Sequence, residues 1–219
     1  MADNQSRAGA RYTTRELLAY VEKLHAPHDA SLAKAFGTPA ESGIPAIQVA
    51  PSEGKLLGML IGLAGARKVV EVGTLAGYSA IRMAQRLAPG GHLWTFESEP
   101  KHHALAQANV ATAGLSDRIT CLLGKALDGG LDELARREGP FDVVFIDADK
   151  GNYNRYGRWA AEHLRSGGVL LGDNAFFFGR LLEESAEAEA MRRFHEEAAR
   201  AFDTVCIPTP DGLLLGLKR

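Results

Sequence analysis

Acidic side chains follow two of the apolar runs in this chain of 219 residues. Asp147 comes directly after the run FDVVFI, and Asp173 and Asn174 follow the run VLLG. The two runs are separated by about the length of one strand-helix-strand crossover, so their carboxyl ends can meet at one edge of a parallel sheet. Two carboxylates and an amide oxygen suit Mg²⁺ or Ca²⁺ and suit zinc poorly. The spacing therefore predicts a divalent-cation site.

Lys150 lies one short turn beyond Asp147, close enough to take a proton from a ligand held at such a site. A second interpretation stays open at this point. Asp147, Asp149 and Asp173 could cap the helices that follow them, and Lys150 could be a solvated charge. The set at matched strand ends favours the cation site.

A glycine turn follows an earlier apolar run. Gly73 and Gly77 have the spacing G-x-x-x-G, and neither the dinucleotide fingerprint nor a P-loop occurs in the chain, so a ligand without phosphates fits better. The next run ends at Glu97, whose carboxylate could accept both hydroxyls of a ribose. Together the turn and the acid predict S-adenosylmethionine as the ligand. The alternative is a tight turn followed by a solvated acid.

Short β-branched runs alternate with helical stretches and must position these residues. Buried parallel strands are predicted at residues 69–72, 93–97, 119–123, 143–146 and 169–171. Connecting helices are predicted at residues 78–87, 101–113, 131–137 and 153–164. The pattern indicates an α/β fold in one domain over residues 1–219.

The two ends of the chain add further elements. A helix capped by Thr13 or Thr14 that runs to about residue 25, and a shorter helix at residues 30–36, would form an N-terminal helical appendage over about residues 1–42. Ser52 is expected to cap the next helix. A helix at residues 185–202 precedes strands at 204–207 and 213–217, which form a hairpin and add an antiparallel strand.

Composition excludes several functions. Lys and Arg number 25 against 27 Asp and Glu, so the positive charge expected for nucleic-acid binding is missing. The longest apolar stretch, residues 59–66, is far shorter than the about 20 residues that span a bilayer, and the polar start is not typical of a signal peptide. Cys121 and Cys206 lack metal or disulfide spacing and are expected to be buried strand residues. We expect a cytoplasmic protein without nucleic-acid or membrane partners.

The residues above make the chain similar to the cation-dependent class I O-methyltransferases, the family of catechol and caffeoyl-CoA O-methyltransferases. The resemblance covers nearly the whole chain and rests on three motifs: VEVGTLAGYS at 70–79, FIDADKGNY at 145–153 and GVLLGDN at 168–174. It implies a Rossmann-like class I methyltransferase fold, with a seven-stranded, mostly parallel sheet and one antiparallel strand. It also implies a homodimer.

The resemblance assigns roles by motif position. It implies that the methionine part of S-adenosylmethionine contacts Glu71, Gly73, Thr74 and Ser79, and that the rest of the cofactor contacts Glu97, Ala126, Asp147 and Asp149. The cation, Mg²⁺ with Ca²⁺ or Mn²⁺ as alternatives, would bind Asp147, Asp173 and Asn174. At Val49, where relatives often have Thr, only backbone contacts to the cofactor remain.

The implied reaction is methyl transfer to one hydroxyl of a small aromatic vicinal diol, with Asp147 and Lys150 as catalytic residues and Lys150 as the base. The run of phenylalanines at residues 176–178 departs from the family pattern and could be an acceptor wall or part of the core. Two other functions stay open. One is a metal-independent O- or N-methyltransferase, and the other is a binding module without turnover.

Overall fold

A seven-stranded sheet forms the centre of the protein, whose computed structural model describes residue 4 and residues 12–219. Its strands are β1 (Lys68–Val72), β2 (His92–Glu97), β3 (Ile119–Leu123), β4 (Phe141–Ile146), β5 (Leu164–Gly172), β6 (Phe202–Ile207) and β7 (Leu213–Lys218). Their order is β3-β2-β1-β4-β5-β7-β6. Strands β1 to β5 are parallel, and β7 is antiparallel to both β5 and β6. The predicted sheet with one antiparallel strand is confirmed.

Helices cover both faces of this sheet. They are α1 (Arg15–His25), α2 (Ala30–Ser42), α3 (Pro51–Leu63), α4 (Tyr78–Ala84), α5 (Pro100–Thr112), α6 (Leu131–Glu138), α7 (Tyr153–His163) and α8 (Ala186–Ala201). Helices α2 to α5 pack on one face with Val69 and Val143. Helices α6 to α8 pack on the other face with Val70 and Val144. Alternate residues of each strand thus serve opposite cores, as the pleat requires.

The start of α1 agrees with the sequence prediction, whereas the start of α3 and the end of α2 do not. Thr14 caps α1 as expected, since its hydroxyl accepts a hydrogen bond from the N–H of Leu17 at 3.3 Å. Ser52 does not cap α3. That helix begins at Pro51, and the carboxylate of Glu53 accepts from the N–H of Ala50 at 3.0 Å. Helix α2 continues beyond residue 36 and ends at Ser42, where Gly43 forms the C-cap with a left-handed φ of 63°.

The predicted appendage divides into two different helices. Residues 1–3 and 5–11 of it lie outside the described residues. Helix α2 buries Leu32 and Ala35 in the core, whereas α1 buries no residue and leaves Leu24 55% exposed. The apolar face of α1 therefore does not pack on the sheet of its own chain. The homodimer stays a prediction.

Two further expectations concern cysteines and membrane spans. Cys121 and Cys206 are free thiols on β3 and β6, and both are only partly buried. The expectation of full burial was wrong because β3 and β6 are the two edge strands. Among the described residues, the helices are all too short or too polar to cross a membrane.

Asp142 ties three segments together at the end of the sheet opposite to the predicted ligand site. Its carboxylate accepts from the N–H groups of Arg67 and Lys68, both at 2.8 Å, and from Nε of Arg165 at 2.6 Å. Burial raises the pKa of Asp142, but these hydrogen bonds outweigh it and lower the pKa overall.

We expect Asp142→Ala to lower the free energy of unfolding at pH 7 by about 1–3 kcal/mol, because two backbone donors lose their partner. Since the pKa is lowered by folding, this contribution is present at neutral pH and is lost as the pH falls through the acid range. Urea denaturation at pH 7 and pH 3.5 measures both effects. The exposed Asp203→Ala on β6 is the control, with an expected change within about 0.5 kcal/mol. An equal loss in both variants would contradict this assignment.

Candidate active site

Backbone hydrogen bonds fix the residues that follow the strands. The N–H of Asp147 donates to the carbonyl of Val72 at 2.9 Å, and the N–H of Asp173 donates to the carbonyl of Ile146 at 2.9 Å. The parallel ladder thus continues one residue beyond β4 and β5. The structure therefore brings Asp147 and Asp173 to the same edge of the sheet.

A cavity of about 870 Å³ opens at this edge. The residues proposed from sequence that line it are Val49, Gly73, Thr74, Ser79, Glu97, Ala126, Asp147, Asp149, Lys150 and Asn174. Glu71 and Asp173 are not among its lining residues. Glu71 is fully buried and bonded to Ser79, and Asp173 borders a much smaller hollow beside the cavity. The proposed residues thus form one site with two buried carboxylates behind it.

Gly73 allows β1 and β4 to approach each other at the floor of the cavity. Its φ is 101°, and an added Cβ would lie 1.9 Å from the carbonyl oxygen of Asp147. No other amino acid fits this position without moving the start of the loop. Gly77 has a φ of 83° and forms the N-cap of α4, so the turn leads directly into a helix.

A network of short hydrogen bonds surrounds the buried carboxylate of Glu71. The hydroxyl of Ser79 donates to it at 2.5 Å, and the hydroxyl of Thr95 donates to it at 2.6 Å. Burial raises the pKa of Glu71 to about 8, against an ordinary value of 4.5, although both hydrogen bonds oppose the shift. Sequence reasoning missed Thr95, because an isolated threonine in an apolar strand reads as a β-former.

Glu97 is held at the end of β2 by backbone donors. Its two carboxylate oxygens accept from the N–H of Leu75 at 2.8 Å and from the N–H of Glu99 at 3.0 Å. His102, which also lines the cavity, has Nδ1 3.8 Å from Oε1 of Glu97. The carboxylate therefore has a fixed orientation beside the cavity. Glu97 could be predicted as a binding residue because it ends an apolar run. Nothing in the sequence distinguished His102 from other helix residues.

The second acidic group of the site comprises Asp147 and Asp173. Nζ of Lys150 lies 3.3 Å from Oδ1 of Asp147. Burial and the charge of Asp147 raise the pKa of Asp173 to about 7. Burial also raises the pKa of Asp147, and Lys150 opposes this shift. The helix-capping interpretation fails for these two residues because the cap of α7 is Asn152 and that of α8 is Ser185.

Two tyrosines of α7 hold the loop between β4 and α7. The hydroxyl of Tyr153, which is fully buried, donates to the carbonyl of Asp173 at 3.0 Å and accepts from Nζ of Lys150 at 2.7 Å. The hydroxyl of Tyr156 donates to the carboxylate of Asp149 at 2.7 Å. Sequence reasoning missed both contacts, because packing of the helix was an equally good explanation of the two tyrosines.

The phenylalanine run divides between core and cavity. Phe177 is buried, whereas Phe178 is 63% exposed and lines the cavity. The N–H of Phe178 donates to the carboxylate of Asp211 at 2.8 Å, and the N–H of Phe176 donates to the carbonyl of Asp211 at 2.8 Å. The turn between β6 and β7 therefore fixes this wall of the cavity.

A divalent cation can be tested against the donors present. Within residues 12–219 and at residue 4, no three His, Cys, Asp or Glu side chains gather as a metal-binding group. The candidate set holds two carboxylates, Asp147 and Asp173, and the amide of Asn174. Hard oxygen donors suit Mg²⁺. Burial raises the pKa of both aspartates, and the charge of Asp147 adds to the shift of Asp173, so a cation beside them would favour their ionised forms. These residues fit the ion.

Comparisons with known proteins identify the family of the chain. The family model described as O-methyltransferase matches residues 27–219. A catechol O-methyltransferase of Niastella koreensis is 41% identical over 179 residues, which cover 80% of this chain and 81% of that protein. A catechol O-methyltransferase of Mycobacterium tuberculosis is 40% identical over 173 residues, with coverage of 79% and 77%.

Solved structures of O-methyltransferases are also similar to this chain. An O-methyltransferase of Bacillus cereus in complex with S-adenosylhomocysteine (SAH) has a TM-score of 0.87 at 34% identity and covers 92% of this chain and 96% of its own. An O-methyltransferase of Streptomyces achromogenes in complex with S-adenosylmethionine has a TM-score of 0.88 at 33% identity, with 99% of both chains covered. The fold and the cavity are those of a class I methyltransferase. The chain belongs to the O-methyltransferase family, as an S-adenosylmethionine-dependent enzyme.

The close approach at Gly73 predicts a large effect of one methyl group. Gly129 has a similar φ of 96° but open space around its Cβ position, so Gly129→Ala carries backbone strain alone, about 1–3 kcal/mol. Gly73→Ala adds the clash with Asp147 and is expected to destabilise more and to abolish SAH binding. Urea denaturation and calorimetric titration with SAH compare the two variants. Equal losses of stability and of SAH affinity in the two variants would show that the close approach of Gly73 to Asp147 is unimportant.

The raised pKa of Glu71 predicts a pH-dependent stability. Because folding raises this pKa, the ionised side chain destabilises the fold, and stability is lost as the pH rises from about 4.5 through 8. Glu71→Gln removes the titration and is expected to become more stable than the wild type with rising pH, by at most about 5 kcal/mol. Urea denaturation of both proteins without ligand at pH 5, 6.5 and 8.5 measures the difference. A difference in the free energy of unfolding that is the same at all three pH values would contradict the raised pKa of Glu71.

Proposed function

We propose that this O-methyltransferase is divalent-metal-dependent and moves the methyl group of S-adenosylmethionine to one hydroxyl of a catechol-like aromatic diol. The observation that carries the proposal is the pair of carboxylates at neighbouring strand ends: Asp147 lines the cavity beside Lys150, and Asp173 is buried behind it. The catechol O-methyltransferases among the relatives support the acceptor class. A metal-independent transferase would leave this acidic pair without a purpose.

The cofactor would occupy the β1–β2 side of the cavity. Glu71, Thr74 and Ser79 would hold its methionine part, and Glu97 the ribose hydroxyls. Ala126 would lie beside the adenine, Asp149 would lie on the cofactor side of the metal site, and Val49 would contribute backbone contacts. The methyl donor brings a positively charged sulfonium group, which the surrounding acids stabilise.

The acceptor would lie between Phe178 and Lys150. Asp147, Asp173 and Asn174 would hold a cation, which would supply positive charge that favours the ionised form of the hydroxyl to be methylated. Tyr153 fixes Nζ of Lys150 near Asp147, and Lys150 in its neutral amine form would take the proton from the acceptor hydroxyl. Phe178 supplies an aromatic wall against the ring of the acceptor. Alignment of the hydroxyl with the methyl group then leads to direct displacement.

The test is methyl transfer to catechol and caffeoyl-type acceptors, with Mg²⁺ or with EDTA, followed by SAH release. We expect turnover with Mg²⁺ and its loss with EDTA. Asp173→Asn is expected to reduce turnover on the order of 100-fold or more, since loss of metal-site groups has effects of at least this order. The matched control is Asp132→Asn on the exposed side of α6.

The outcomes separate the candidate functions. Equal turnover with EDTA would favour a metal-independent transferase and remove the cation from the proposal. SAH binding without turnover on any diol would contradict the acceptor class. Loss of activity in Asp132→Asn as well would mean that the assay reports stability and not chemistry.

A further inference from the structure

The chain that follows β5 is strained where it borders the cavity. Asn174, Phe177 and Phe178 all have a left-handed φ, of 52°, 51° and 54°. This conformation costs free energy for a residue with a side chain, and most for a bulky one, so it persists only where the surrounding structure holds it. Three such residues within five positions therefore indicate a segment whose shape is imposed by its contacts.

The turn between β6 and β7 supplies these contacts through Asp211 and Gly212. The carboxylate of Asp211 accepts from the N–H of Phe178, and the carbonyl of Asp211 accepts from the N–H of Phe176, both at 2.8 Å. The carbonyl of Gly212 accepts from the N–H of Ala175 at 2.9 Å. A Cβ at position 212 would lie 2.9 Å from the ring of Phe176, so the glycine lets this ring pack on the turn. Among these contacts, the carboxylate of Asp211 is the one side-chain group that bonds a strained residue.

Exposure increases along the cavity from the proposed reacting groups to the solvent-facing mouth. The side chains of Lys150 and Asp147 are 13% and 26% exposed, whereas Phe178 and Ile47, which also line the cavity, are 63% and 73% exposed. An acceptor with its hydroxyl groups at Lys150 and Asp147 would therefore extend toward the two apolar side chains at the mouth. An apolar part of that acceptor would cover their exposed surface, which is favourable.

We propose that Asp211 is a positioning residue for acceptor selection. By holding Phe178 in its strained conformation, it keeps the ring at the mouth of the cavity, where Phe178 and Ile47 select aromatic diols with a bulky apolar substituent over diols without one. This inference rests on the proposed methyl transfer to aromatic diols and adds the chemistry of the substituent. Asp211 is not among the residues that line the cavity and acts through Phe178.

Selection of this kind needs a wall that is already in place. A phenylalanine on a mobile loop would lose conformational freedom on contact with the acceptor, and this loss would offset the favourable burial. The hydrogen bond from the N–H of Phe178 to Asp211 fixes the backbone at Phe178 before any acceptor arrives. Without the carboxylate, the strained residues can relax to ordinary backbone conformations, and the ring moves from the mouth.

The experiment measures kcat/KM for catechol and for 4-phenylcatechol, with S-adenosylmethionine and Mg²⁺. We expect the wild type to prefer 4-phenylcatechol by about 10-fold or more, which is the order expected when an apolar substituent covers one aromatic face. Asp211→Ala and Phe178→Ala should each reduce this preference to below about 3-fold, because the same burial is lost. Asp211→Asn keeps an oxygen that can accept from the N–H of Phe178, so its preference should stay within about 2-fold of that of the wild type.

Two controls separate selection from a general loss of structure. Leu182→Ala removes an apolar side chain that is 87% exposed but is not among those lining the cavity, so its preference should equal that of the wild type. Calorimetric titration with SAH should give equal affinities for Asp211→Ala and the wild type, because the proposed cofactor side of the cavity lies at β1 and β2. Weaker SAH binding by Asp211→Ala would show a general structural role and overturn the assignment of Asp211.

The remaining outcomes test the selection itself. A wild type that turns over both diols with equal kcat/KM would overturn the inference and leave the proposed function standing. An unchanged preference in Asp211→Ala or in Phe178→Ala would overturn it as well. Absence of turnover on both diols by a wild type that binds SAH would overturn the proposed acceptor class together with the inference, so the two failures are distinguishable.

Discussion

The register of the parallel strands at their carboxyl ends is the constraint on which the site depends. Asp147 and Asp173 each donate a backbone hydrogen bond to the neighbouring strand, and Gly73 does the same to the carbonyl of Phe96 at 3.0 Å. Each loop therefore leaves the sheet from a fixed point. The side chains that follow are placed by the ladder and not by the loops themselves, which keeps the geometry of the cavity rigid.

This placement concentrates negative charge in a buried region. Glu71, Asp147 and Asp173 all have a raised pKa, because burial disfavours their ionised forms, and the charge of Asp147 adds to the shift of Glu71 and of Asp173. The protein without ligands is thus less stable than its packing would allow. Positively charged ligands relieve this cost, so the same carboxylates that weaken the fold favour ligand binding.

The fold and the acids at the strand ends could be predicted because both depend on local sequence. Apolar runs fix the strands, and a polar residue directly after a run must lie at the edge of the sheet. Thr95 and Tyr153 could not be found in this way, since their roles arise from hydrogen bonds to residues far away in the chain. Ser52 was assigned wrongly as a cap because the helix begins one residue earlier, at Pro51, so that Ser52 lies inside its first turn.

The position of β7 has a consequence for the order in which the molecule assembles. β6 precedes β7 in the chain, yet it joins the sheet only through β7, which lies between β5 and β6. During synthesis, the strands beside the cofactor side of the cavity can pair before this hairpin exists. The hairpin turn carries Asp211, which holds Phe176 and Phe178. A nascent chain would therefore complete the side of the cavity at β1 and β2 first and the wall formed by Phe178 only at the end of folding.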